Sequence, residues 1–82
     1  MSRQQPVTPT LATQSIKAAL RSNGVAYTHV ESSATRSGVV SNVYIRDNDP
    51  KTMGKAVHAI NSGTACMRAQ RAGSSNLIDV EW

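Results

Sequence analysis

Apolar side chains recur at Ala12, Ile16, Ala19 and Leu20 while Lys17 and Arg21 fall off their line, a spacing that predicts an amphipathic helix with one narrow buried stripe. Thr8 before Pro9 offers a hydroxyl cap and a proline at the first helical position, and Asn23-Gly24 offers the left-handed residue that ends helices, so the helix should run from about Pro9 to Ser22. The period then shortens to two. Val25 to Glu31 is rich in β-branched and aromatic residues and predicts a strand, but its alternation leaves the inward face open between Val25, Tyr27 and His29 on one side and Ala26, Thr28 and Val30 on the other. Val39 to Arg46 predicts a second strand with Val39, Ser41, Val43 and Ile45 turned to the core. The stretch between them, Ser32 to Gly38, reads as a serine-rich hairpin loop.

The second half repeats the order. Asp47-Asn48-Asp49-Pro50 is a dense turn signal, and Asp49 before Pro50 restates the cap-plus-proline entry, predicting a helix from Pro50 to about Asn61 with Met53, Ala56, Val57 and Ile60 on one side and Gly63 closing it. Thr64 to Ala72 combines helix-favouring residues with the position of a hairpin arm before Gly73-Ser74-Ser75-Asn76, and a strand is expected there. Leu77 to Trp82 alternates, placing Ile78, Val80 and Trp82 on one face. Trp82 is expected to cap the core with them, partner anchoring being the alternative.

The predicted order is αββαββ, two tandem units of one helix and two strands. It resembles a ferredoxin-like βαββαβ fold whose first strand has been moved to the end, that is, a circularly permuted one. The expected fold is α+β, a four-stranded antiparallel sheet with both helices on one face, formed by a single domain over residues 8–82 behind a flexible tail at residues 1–7. In that arrangement the last strand lies beside Val39 to Arg46, and the open face carries Val40, Asn42, Tyr44 and Arg46 next to Leu77, Asp79 and Glu81.

Composition narrows the chemistry more than it names it. With 82 residues, no Phe, one Trp and two Tyr, the core must be aliphatic, and such a small core makes modest stability or a homodimer the expectation. The single Cys66 can form no internal disulfide and has no metal-ligand spacing partner, which fits a reducing compartment. No apolar run approaches the ~18 residues of a membrane span, and Met-Ser-Arg-Gln-Gln-Pro lacks the apolar core of a signal peptide, so a soluble cytoplasmic protein is expected. Two histidines and one cysteine define no nucleophile and base, the five carboxylates no acid–base pair, and the dispersed glycines no phosphate loop; no enzyme, cofactor or metal is expected.

A net charge of +4 favours polyanionic partners. The candidate contact residues are Arg36 on the hairpin loop, Lys51 and Lys55 one helical turn apart, and Arg68 and Arg71; the last four would form a phosphate-contacting ridge or a solvated surface. Tyr27 and Tyr44 are candidates for stacking bases on the open face, although Asp79 and Glu81 on that face oppose phosphate. These features point to a non-enzymatic protein that acts by occupying a surface. The partner expected is a protein or nucleoprotein complex, as for a phage or mobile-element protein of the anti-CRISPR type that blocks host defence. A basic RNA- or single-stranded-DNA-binding module is the alternative.

Overall fold

The computed structural model describes residues 7–82; apart from Val7, the expected N-terminal tail lies outside them. The elements follow in the order α1 (Pro9–Ser22), β1 (Tyr27–Thr35), β2 (Gly38–Ile45), α2 (Pro50–Gly63), β3 (Arg68–Arg71) and β4 (Leu77–Glu81). The sheet is antiparallel throughout in the order β1-β2-β4-β3, so β4 sits in the middle beside β2. This is the α+β arrangement of a permuted ferredoxin-like fold, with both helices over one face of the sheet.

Local chemistry builds each helix end. Thr8 Oγ1 accepts from the Leu11 N–H at 3.1 Å, and Pro9 fills the first helical position without losing a bond. At the other end the Val25 N–H reaches the Leu20 carbonyl and the Gly24 N–H reaches Arg21, a Schellman closure whose apolar contact is made by buried Leu20 and Val25. α2 opens on Asp49, whose carboxylate accepts from the Thr52 N–H at 3.0 Å and the Thr52 hydroxyl at 2.7 Å. It runs two residues past the expected end at Asn61, and Thr64 closes it by donating both its N–H and its hydroxyl to the Ile60 carbonyl.

The core lies between sheet and helices and is aliphatic: Ile16, Leu20, Val43, Ile45, Met53, Ile60, Ile78 and Val80 carry it. On β2 the odd positions point inward, as their alternation predicts. β1 answers its ambiguity by using both faces. Tyr27 pairs with Ile45 and His29 with Tyr44, so a bulge at Thr28 adds one residue and reverses the alternation. Val25 and Tyr27 therefore face the core before the bulge, and Val30 and Ser32 after it.

Two expectations need correction. The serine-rich loop shrinks to the two-residue turn Arg36-Ser37, because Ser32 to Thr35 continue β1 in register with Ser41 to Gly38. Ser32 belongs in the strand because its hydroxyl has partners there: it lies 2.7 Å from Ser41 Oγ and 2.7 Å from Thr13 Oγ1 of α1. In the expected strand from Thr64 to Ala72, only Arg68 to Arg71 pair fully with β4. The outer edge of β3 is closed by Asn61, whose amide accepts from the Ala69 N–H at 2.9 Å and donates to its carbonyl at 3.0 Å in place of a fifth strand.

Candidate functional site

The antiparallel register gives the molecule two unlike ends. One carries the Arg36-Ser37 turn, the start of β3 and Trp82; the other carries the turns from β2 into α2 and from β3 into β4. At the hairpin end a cleft of about 250 Å³ opens between Thr35, Ser37, Val40, Met67, Glu81 and Trp82. Trp82 is fixed in its wall, with its N–H on the Val39 carbonyl at 3.1 Å and its indole N–H on Ser41 Oγ at 3.0 Å. Ser41 is 1% exposed, so its own proton must find an acceptor; Ser32 Oγ is in range, and the chain of hydroxyls continues to Thr13. A wall built this way holds its shape without a ligand.

The rim of this cleft is apolar where a small protein's surface is usually polar. Val40 is 36% and Met67 79% exposed, and the third exposed large apolar residue among the described ones, Leu11 at 49%, lies in the first turn of α1, which runs antiparallel to β1 and so starts toward the same end. Polar groups interleave with them: the Thr35 hydroxyl donates to the Gly38 carbonyl at 2.9 Å, and Glu81 lies 3.7 Å from the Arg68 guanidinium.

The five basic residues singled out from the sequence are not gathered in one patch. Arg36 and Arg68 are at the hairpin end, Arg36 on the turn and Arg68 on the open face of the sheet beside Glu81. Lys51 and Lys55 are on the exposed side of α2, whose start is separated from the hairpin turn by the eight residues of β2, about 25 Å of strand. Arg71 is three residues from Arg68, so the pleat turns it to the opposite face. There its guanidinium donates to the carbonyls of Asn48, Ser74 and Ser75 at 2.8 to 3.0 Å, tying the two loops of the far end together.

The two tyrosines separate as well. Tyr27 packs against the core and receives a 3.5 Å contact from Arg21, whereas Tyr44 is on the open face with its ring 6.0 Å from that of His29. The bulge at Thr28 is the reason: it places Tyr27 and His29, two residues apart, on opposite faces. Around Tyr44 the open face holds Glu31, Asp79 and Glu81, three of the chain's five carboxylates, against Arg68 and a histidine that itself meets Glu31 at 3.0 Å; Arg46, expected on this face, is exposed just past the end of β2. Such a face repels phosphate. At the opposite end the Asp49 carboxyl is held below its usual range, first by the Thr52 hydroxyl, then by the Thr52 N–H, with smaller help from Lys51 and Arg71. No three His, Cys, Asp or Glu side chains converge among the described residues.

Reading the sequence missed the cleft. Met67 and Trp82 are distant along the chain, and only the pairing of the Met67 N–H with the Glu81 carbonyl at 2.7 Å brings them together. A second feature is legible in the sequence once the helix bounds are fixed: neither α1 nor α2 contains Asp or Glu. No helix among the described residues is long and apolar enough to cross a membrane. Compared with known proteins, the chain matches no family model, no curated protein and no solved structure.

Proposed function

We propose that this chain is a non-enzymatic binding protein that acts by covering a surface of a larger protein or nucleoprotein complex, with the hairpin end as its contact surface. One observation carries the proposal: among the described residues all three exposed large apolar side chains, Leu11, Val40 and Met67, are at the end that holds the cleft and its anchored tryptophan. Apolar residues around a preformed hollow, interleaved with hydroxyls and a guanidinium, are what protein interfaces bury at their centres. Arg36, on the turn beside the cleft, extends the same surface toward an acidic or phosphate-bearing neighbour.

Within this class the partner we propose is a host-defence nucleoprotein complex, blocked in the manner of anti-CRISPR proteins. The net charge of +4 favours a partner that contains nucleic acid, while Glu31 and Asp79 around Tyr44 direct contact away from the middle of the open face and toward its hairpin end. The test is a size-exclusion shift with a panel of purified CRISPR effector complexes, loaded with guide RNA. Co-elution with at least one, weakened tenfold or more by Val40→Asp with Met67→Asp, is the expected result. Failure to shift any member, or a shift indifferent to the double substitution, overturns the proposal. Met67 is 79% exposed, but Val40 is 36% exposed and pairs with Glu81, so the variant is compared with the parent by circular dichroism and urea unfolding, and a matching fold makes the loss of binding specific.

A further inference from the structure

The helix layer carries a second, independent surface. The outward positions of α1 are Thr10, Gln14, Lys17 and Arg21, and those of α2 are Lys51, Lys55, His58 and Ser62; both sets follow steps of four, three and four and lie opposite the buried stripes. Four cations therefore point outward from two helices that contain no carboxylate. Asp47 and Asp49 precede α2; Asp49 is turned onto Thr52 at the N-cap and also feels the charge of Lys51.

The helices also bring these cations into line. Each joins its neighbouring strand through a short turn, and β1 and β2 are antiparallel, so α1 and α2 run antiparallel. They touch at Gly63 and Ala19, where a Cβ on Gly63 would come within 3.1 Å of the alanine methyl. From that crossing the helical rise of 1.5 Å per residue sets Lys17, Arg21, Lys55 and Lys51 one after another over about 20 Å.

We infer that this stripe binds the phosphate backbone of a nucleic-acid duplex without reading its sequence. Charge complementarity selects a polyanion. The absence of Phe, Tyr and Trp from both helices selects a duplex over a single strand, because tight single-strand binding needs large aromatic side chains on which exposed bases stack. Tyr27 meets Arg21 through its hydroxyl and is packed against the core, and Tyr44 is on the opposite, acidic face. This surface differs from the ridge expected from sequence: it keeps Lys51 and Lys55 but takes Lys17 and Arg21 in place of Arg68 and Arg71.

The test is fluorescence anisotropy with a labelled mixed-sequence 20-base-pair DNA duplex and the matching single strand, at a series of salt concentrations. Four phosphate contacts predict a log affinity that falls against log salt with a slope near −3.6, and a Kd on the order of 10⁻⁴ to 10⁻⁶ M at physiological salt. Lys51→Gln with Lys55→Gln should lower the slope by about 1.8, and adding Lys17→Gln with Arg21→Gln should abolish binding. Arg68→Gln on the far face should change nothing. No duplex binding at 50 mM salt, an equal loss in the Arg68→Gln control, or tighter binding to the single strand would each overturn the inference. The Val40→Asp, Met67→Asp variant should retain duplex affinity, so loss of the hairpin-end contact and loss of this one are distinguishable.

Discussion

Ser41 is a polar residue in an otherwise aliphatic core, and its cost is met by what it joins. Its hydroxyl accepts from the Trp82 indole and lies 2.7 Å from Ser32, which reaches Thr13, so one buried group links β4, β2, β1 and α1. Ser41→Ala removes little volume but strands the indole N–H, and we expect a loss of about 1–3 kcal/mol in urea unfolding, together with a shift in the emission of the sole tryptophan. Emission identical to the parent would mean the indole is held by something else. Gly38 is constrained differently. Its φ of 141° suits glycine alone, whereas an added Cβ would meet nothing closer than the Trp82 carbonyl at 3.5 Å. Gly38→Ala should therefore destabilise by about 1–3 kcal/mol through backbone strain. An unchanged midpoint would show that the turn relaxes.

At the scale of elements, what the sequence disclosed depended on whether the signal was local. Both helix starts were legible, because a cap and a proline act within one turn, as was the inward face of β2, where the alternation is unbroken. β1 was not, since the bulge at Thr28 arises from pairing with Tyr44 and leaves no local mark. Ser32 to Thr35 read as loop because serine has weak strand preference, and the hydroxyl partners that reward it there come from β2 and α1. Of the candidate contact residues, Arg36 proved to flank the cleft, while Arg71 is engaged by three loop carbonyls. The α2 cap gives a pH prediction. The folded state lowers the Asp49 pKa, so the cap contributes fully above the unfolded carboxylate pKa and is lost as pH falls through the lower folded value. Asp49→Ala should thus lower Tm at neutral pH, with the gap to the parent narrowing as the solution is acidified below about pH 4. A gap independent of pH would assign the cap's effect to packing instead.

The whole molecule is polarised twice over. Along the strands, one end is apolar and hollow while the other is closed by the Arg71 clamp; across the layers, the helices are basic and the open sheet acidic. A chain of this size with two chemically distinct faces can contact a protein surface and a nucleic-acid backbone of one assembly together, which is how a small protein obstructs a large one. None of this organisation is apparent from the net charge, because +4 is the sum of faces of opposite sign. The central claim is that the hairpin end is the contact surface. Amide hydrogen exchange of the chain bound to a CRISPR effector complex measures it directly. Protection concentrated at the Arg36-Ser37 turn, Val40, Met67 and Trp82 is the predicted result, and protection confined to the open face around Glu31, Tyr44 and Asp79 would contradict it.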